Sequence, residues 1–321
     1  MPARALFLSS LLPFLLAAET HQVAAQKYYH TFSHEHPVLQ RIKTGDLVVT
    51  KTVDSGGKDE KGADRSEGGN PLTGPFYVEG AEPGDAILVR FQKMRLNRNW
   101  GTSSYRLGLF SVTPEYVEKI FPPKKVTWEI DLRANQVRLR EPASAKVNLE
   151  FSVKPMLGCV GVAAPGDSAP TSGPAGSYGG NLDYNAIGEG ATVILPVYHP
   201  GALLFIGDGH ALQGDGEATG NGVETSMDVE FTVEVRKKMK LTGPRVETAD
   251  DIISVGAQPE FASSLDRALQ MATTDMVDWL VTGYGLEPWA AHVLISFQAK
   301  YDVVTVAGTM ALRIPKAALR K

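Results

Sequence analysis

Apolar and polar positions alternate at period two along most of the chain. "SMDVEFTVEVRKK" places Met227, Val229, Phe231, Val233 and Val235 on one face, and "KKVTWEIDLRANQVRLR" alternates on both sides of "RANQ", a hairpin pattern. "RIKTGDLVVTKTVDSGG" reads as a strand running into a loop. "PFYVEGAEPGDAILVRFQKMRL" gives two strands around "EGAEPGD", where Pro83 and Gly84 suit adjacent turn positions. "VNLEFSVKPMLGCVGVAAP" and "ATVILPVYHPGALLFIGDGH" add further apolar runs. The period changes after residue 240. Leu265, Leu269, Ala272 and Met276 recur at helical spacing, with Ser263 or Ser264 to cap the helix and Gly283 or Gly285 to stop it. "PWAAHVLISFQAKYDVVTV" predicts a second helix leading into a last strand. The expected fold is mainly β, with sandwich- or barrel-like sheets in a β-rich region at 26–240 and a smaller α/β part at 241–321 completing it.

The N-terminus follows another pattern. One early arginine precedes an apolar run from Ala5 to Ala18, and Val23 and Ala25 are small residues suited to positions −3 and −1 of a signal cleavage site. Residues 1–25 are therefore expected to be a signal peptide cut before Gln26, and the protein to be exported to a periplasm or the extracellular space. The run falls short of the roughly 20 residues a spanning helix needs, and no membrane span is expected in the mature chain. A single cysteine, Cys159, excludes an intramolecular disulfide. The formal net charge of −4, with both signs scattered, gives no case for nucleic-acid binding. Two stretches without periodicity, 59–71 and 164–180, have loop composition, and loops this long are commonly functional.

The chemistry concentrates in "LLFIGDGHALQGDGEATGNG", residues 203–222, where six glycines flank Asp208, His210, Gln213, Asp215 and Glu217. The stretch matches neither a phosphate-binding loop nor a calcium EF-hand loop. Hard oxygen donors with one imidazole suit a divalent metal or acid–base work; the plain alternative is a turn whose acids bond nearby amides. Asp54 in "TVDSGG", and Asn181 and Asp183 in "YGGNLD", repeat the design of glycines beside a carboxylate at a strand end. Three such loops are expected to form one site on a β scaffold. Glu79, next to the apolar "FYV", is expected to be a buried proton carrier, while Glu82 and Asp85 flank the turn as solvated groups. Cys159 offers a thiol nucleophile, against its reading as a small core residue. His199 reads as a structural histidine at a strand edge, and His30, His34 and His36 as a solvated segment.

"GPFYVEGAEPGD", "GGNLD", "LPVYHPGALLFIGDGHALQGDGEATG" and "LTGPR" together resemble the acetamidase/formamidase family, in order from about residue 36 to about 316. Asp208, His210, Gln213, Asp215 and Glu217 all stand at the family positions. The chain departs from the usual pattern with "GDGH" for "GDAH", "HALQ" for "HAAQ", and His199–Pro200. The resemblance implies hydrolysis of short aliphatic amides to carboxylate and ammonia by a homo-oligomer with a mostly-β fold and a smaller α/β part. Metal-activated water is the expected nucleophile, with Asp54, Asp183 and His210 holding a divalent ion, zinc or calcium. Asp208 can replace any of the three. Glu217 or Glu79 is expected to move the proton, and Asn181, Asp208 and Gln213 to bind the small-molecule amide. The competing readings are a secreted, metal-stabilised β module that binds extracellular glycans, and an inactive family member. Trp100, Trp128, Trp279 and Trp289 are dispersed in sequence and form no evident binding strip, which favours the enzyme.

Overall fold

A computed structural model describes residues 18–117, 119, 124–260 and 263–320. Two large sheets face one another. The nine-stranded sheet runs in the spatial order Thr20–Gln22, Leu47–Thr52, Met227–Arg236, Ala86–Leu96, Thr192–Pro196, Arg245–Glu247, Asp251–Gly256, Thr309–Pro315, Lys300–Thr305. The six-stranded sheet runs Ala175–Gly176, Gly179–Asn181, Met156–Val162, Leu204–His210, Leu72–Val78, Gln40–Ile42. Pairing is antiparallel except for Thr20–Gln22 against Leu47–Val49 and Gln40–Ile42 against Phe76–Val78. The predicted hairpin forms where Lys125–Asp131 pairs with Gln136–Leu139, inside a small four-stranded sheet.

The alternating strands supply the core. Met227, Val229, Phe231 and Val233 are all buried, and Val235 is half-buried towards the end of its strand. Across the layers Phe76 meets Phe231 edge-on with ring centroids 5.2 Å apart, and each buried aromatic or aliphatic side chain contributes ~1.5–3 kcal/mol by leaving water. The two strands around "EGAEPGD" do not form a hairpin, because one belongs to each sheet and the turn carries the chain across the sandwich. Asp85 is buried there rather than solvated: it accepts from the Glu82 and Lys238 amides and from Lys237 Nζ.

The outer face of the larger sheet is covered by the helix Leu265–Tyr284, which buries Ala272, Met276, Trp279 and Leu280 against Ile252, Leu312 and Ile314. Ser264 caps it by accepting from the Arg267 amide, and Gly285 ends it in the left-handed region at φ 68°. Leu269 faces outward, since the buried stripe runs through Ala268, Ala272, Asp275 and Trp279. The second helix, Pro288–Gln298, leads into a hairpin of two strands, where one was expected. Residues 241–320 extend the same sheet that the N-terminal strands begin. Residues 1–17 of the expected leader lie outside the described residues; Thr20–Gln22, also within it, form an edge strand pinned by His21 Nε2 to Asp46 Oδ2 at 2.8 Å. Among the described residues no helix is long and apolar enough to cross a membrane.

Candidate active site and metal centre

The six-stranded sheet delivers the acids. Asp208 and His210, two apart on Leu204–His210, are both buried, as expected for positions on one side of a strand. The neighbouring strand Met156–Val162 places Gly158 between two carboxylates: a Cβ there would lie 2.4 Å from Asp183 Oδ1 and 2.5 Å from Asp208 Oδ2. Only glycine lets both acids approach the backbone at that point. Gly222 plays the same part for the histidine, since its Cβ would stand 2.5 Å from His210 Nδ1. Asp183, Asp208 and Glu217 have φ of 47°, 57° and 44°, a region that costs a non-glycine residue energy and clusters at functional sites. Glu217 is held from the C-terminal part, with Gly216 N donating to Val303 O at 2.7 Å and Val306 N to Gly216 O at 2.8 Å.

Four donor atoms converge without partners. Asp183 Oδ1, Asp208 Oδ1, Glu224 Oε2 and His210 Nε2 are buried and make no hydrogen bond. His210 Nε2 lies 3.4 Å from Asp208 Oδ1 and 3.2 Å from Glu224 Oε1. On the ring's other side Nδ1 meets Gln213 Oε1 at 2.8 Å; Gln213 can only accept there, so Nδ1 carries a hydrogen and Nε2 is the nitrogen that faces the acids. Asp183, Asp208 and His210, and likewise His210, Glu217 and Glu224, offer ligand atoms within 4.8 Å of one another. This buried acidic and histidine group can hold a metal ion.

Its electrostatics fit a cation site. Burial, reinforced by Asp208, pushes the Asp183 carboxyl well above its usual range. Burial and Asp183 do the same to Glu217. Glu224 is raised by burial and Asp208 to about 7, against the opposing pull of His210. Burial pushes the His210 imidazole down, but Glu224 and Asp208 outweigh it and hold it well above its ordinary value. Charges of one sign gathered in a low-dielectric site are costly unless a counter-ion is bound.

The predicted residues divide into three groups. Asp183, Asp208, His210 and Glu217 are brought together. Asn181 and Gln213 stand beside them as supports. Asn181 Nδ2 donates to Asp183 Oδ2, and its Oδ1 accepts from Cys159 Sγ at 2.9 Å and Asn70 Nδ2 at 3.2 Å. Gln213, expected on the substrate, sits behind His210, its Nε2 donating to the Asp183 carbonyl, and is not among the residues that line the cavity. Asp208, also expected on the substrate, stands among the metal-capable donors while lining the cavity.

Asp54 and Glu79 are not in the cluster. The Asp54 carboxylate is committed to Arg98 Nη2 at 2.5 Å and to the Gly56 and Lys58 amides, which leaves no free oxygen for an ion. Glu79 is exposed beyond the end of Leu72–Val78, opposite to the burial expected of it. The start of that strand, Leu72, pairs with Gly207, so seven residues of strand place Glu79 on the order of 20 Å away. Asp215 is exposed and accepts from Asn185 Nδ2. Cys159 is fully buried, and burial together with Asp208 raises its thiol well above the ordinary value, which opposes a thiolate nucleophile. His199 stacks on His34 and bonds the Ala164 carbonyl, while His36 stacks on Tyr29 rather than lying in solvent. Glu224 was not singled out from the sequence; Gly220 and Gly222 just before it repeat the glycine-and-acid signal of the other loops.

The cluster floors a cavity of about 460 Å³ lined by Asn181, Asp183, Asp208, Glu217 and Glu224, with the 164–180 loop contributing Gly173, Pro174 and Ala175.

A model of the Acetamidase/Formamidase family matches residues 162–266. A putative formamidase of Schizosaccharomyces pombe is 27% identical over 237 residues, 56% of this chain and 57% of that protein. The chain thus spans little more than half the length of the curated relatives it matches. The solved structure of an acetamidase from Yersinia enterocolitica is similar with a TM-score of 0.81 at 28% identity, covering 96% of this chain and 95% of that one. A recombinant predicted acetamidase/formamidase from Thermoanaerobacter tengcongensis gives a TM-score of 0.79 at 30% identity, covering 94% and 98%.

Proposed function

The chain belongs to the acetamidase/formamidase family, and from that premise we propose that it hydrolyses short aliphatic amides to carboxylate and ammonia at the acidic cluster. The observation that carries the reading is the set of four buried, unpartnered donor atoms, three of them on residues that line the cavity, Asp183, Asp208 and Glu224, and the fourth on His210 beside them. Asp183, Asp208 and His210, with Glu224 beside them, would hold a divalent cation, and an imidazole among carboxylates suits zinc better than calcium. Such an ion supplies Lewis acidity, making water a nucleophile near neutral pH and polarising the amide carbonyl.

The protein's own groups supply the rest. Gln213 fixes the His210 tautomer, and Asn181 fixes the Asp183 carboxylate. Glu217 is half-buried, lines the cavity, and has its carboxyl raised by burial and by Asp183. From the cavity wall it can pass a proton to the departing amine. The test is ammonia release from a panel of primary amides, with and without a strong chelator, alongside Glu217→Gln. Release abolished by chelator and by the mutation is the expected result. Release indifferent to chelator removes the metal from the reading, and silence from folded, zinc-supplied protein removes the amidase.

Export and assembly complete the proposal. The apolar leader supports export, checked by the N-terminal mass of protein recovered outside the cytoplasm; cleavage before Gln26 would remove the Thr20–Gln22 edge strand. Trp289, Val293 and Phe297 form an exposed apolar stripe, 69%, 48% and 78% accessible, at helical spacing on Pro288–Gln298. That stripe supports a homo-oligomer, and light scattering on purified protein tests it.

A further inference from the structure

The edge strand at Thr20–Gln22 belongs to a segment that a cut before Gln26 would discard, yet the fold depends on it. Leu47 N donates to the Glu19 carbonyl at 2.8 Å and Val23 N to the Val49 carbonyl at 2.9 Å. Thr50, itself buried, donates from Oγ1 to the Val23 carbonyl at 2.8 Å, and Val23 packs against the main core. Without the segment, Leu47–Thr52 becomes the edge of the nine-stranded sheet. Its unpaired amides and carbonyls would then form a template for pairing with other chains.

Asp46 ties the segment down more firmly. Its side chain is only 4% accessible, and three donors surround it. Glu19 N stands 3.0 Å from Oδ1, while His21 Nε2 and Lys43 N stand 2.8 and 2.9 Å from Oδ2. Burial pushes the Asp46 carboxyl up, but the Glu19 amide, His21 and the Lys43 amide outweigh it and hold it below its ordinary value. Two of those three donors lie in Glu19–Gln22. Removing them would leave a buried carboxylate with one amide, and a buried charge stripped of its partners is strongly destabilising.

Resting on the export reading above, we propose that the leader is cut at the Ala18–Glu19 bond, and that the mature chain keeps Glu19–Val23 as its first strand. Water adds across that peptide bond on a signal peptidase, leaving a carboxylate on Ala18 and an α-ammonium on Glu19. The nitrogen so freed is the one already 3.0 Å from Asp46 Oδ1, so the cut turns a neutral hydrogen bond into an ion pair with a buried acid. Ala17 and Ala18 are the small residues that close the apolar run. Leu16 at position −3 fits the small-residue pattern less well than Val23 does for the later cut; the bonds to Asp46, Leu47, Val49 and Thr50 outweigh that preference.

Two measurements test the proposal. The first is the intact mass of protein recovered outside the cytoplasm after expression with its own leader, where a chain of residues 19–321 is expected. A chain beginning at Gln26 leaves export standing and overturns the inference. A chain that keeps the apolar run overturns export, and the inference with it. The second compares melting temperatures of three chains, each released from a fusion that leaves no added residue: 19–321, 26–321, and 19–321 preceded by one glycine. The 19–321 chain is expected to melt about 5 °C or more above 26–321, or to fold where 26–321 does not. The added glycine keeps the amide donor and moves the charge away, so a fall of about 2 °C is expected, and none in an Asp46→Asn background. Equal melting of 19–321 and 26–321 overturns the strand's place in the mature fold. A glycine that changes nothing, or acts equally without the Asp46 charge, overturns the ion pair.

Discussion

Two groups of buried acid lie on the same scaffold and look alike in sequence, yet they are opposites physically. Asp54 follows an apolar strand and precedes paired glycines, as Asn181–Asp183 and Asp208 are also set among glycines. Asp54 is fully answered: Arg98 pairs with one oxygen, two backbone amides with the other, and Arg98 stacks 3.7 Å from the centroid of Trp100. Asp183, Asp208 and Glu224 are equally buried, and among the described residues no lysine or arginine pairs with their carboxylates, which have only His210 beside them. The first arrangement is structural. The second leaves like charges facing one another, which a fold retains only when something else is to be bound there. A carboxylate's role is thus set by whether its charge is answered within the chain.

Removing one acid from each group should give opposite signs, and the largest effect falls on the cluster. Asp208→Asn is expected to abolish zinc retention and lower kcat/KM by a factor of about 10³ or more, since a metal-binding acid is lost. The same change should raise the melting temperature of metal-free protein, because one of several mutually repelling buried charges disappears. Metal analysis, amide hydrolysis and thermal melts with chelator read the three quantities on one preparation. A variant that keeps its zinc would place the ion elsewhere.

Asp54→Asn should act the other way. It leaves the Arg98 guanidinium buried without a counter-charge, and breaking a buried pair from one side costs about 3–5 kcal/mol. Arg98 Nη2 also donates to the Glu224 carbonyl at 3.3 Å, so a modest loss of activity accompanies the loss of stability, while zinc stays bound. Denaturant unfolding measures the first effect. Should zinc leave with the Asp54 charge, the contrast between the two groups collapses.

Acidity sharpens the comparison with a smaller effect. Glu224 is raised from its ordinary value of 4.5 to about 7 by burial and Asp208. Between these values the unfolded chain has released that proton while the folded chain keeps it, so folding binds more protons and its stability falls with rising pH. Metal-free protein should therefore melt at progressively lower temperature as pH climbs from about 5 through about 7, and zinc should flatten the trend. Melting curves at four pH values, with chelator or with zinc, decide it; a metal-free protein that grows more stable over that range contradicts the account.

Much of this was open to a reading of residues in order. Period-two alternation located the strands because each has one face in the core, and the acids of 208–217 stood out because glycine seldom crowds into a strand without cause. What escaped depended on distant partners. Nothing near Asp54 announces that Arg98, forty-four positions on, will neutralise it. Nothing in "FYVEG" shows that the strand ends at Val78 and leaves Glu79 in water. Glu224 was hidden because its polar flank reads as the edge of the alternating strand behind it, and Gly158 because the two acids it admits come from distant positions, Asp183 in a loop and Asp208 on the neighbouring strand.

Cys159 provides the smallest and most discriminating test. It is the chain's one cysteine, it neighbours Gly158 behind the cluster, and a thiol nucleophile there would bypass the metal altogether. The geometry makes the sulfur a support instead. Its Sγ donates to Asn181 Oδ1 at 2.9 Å, helping to hold the amide that in turn positions Asp183. A hydroxyl can make the same bond, so Cys159→Ser should retain activity within about threefold, whereas a nucleophile so replaced would lose several orders of magnitude. Cys159→Val keeps a small apolar group and removes the donor, leaving Asn181 Oδ1 with Asn70 alone. A further few-fold loss that the serine variant does not share is expected, because Asp183 is then less firmly aimed. Equal and severe losses in both variants would return the sulfur to the reaction, and the unpaired acids beside it would need another explanation.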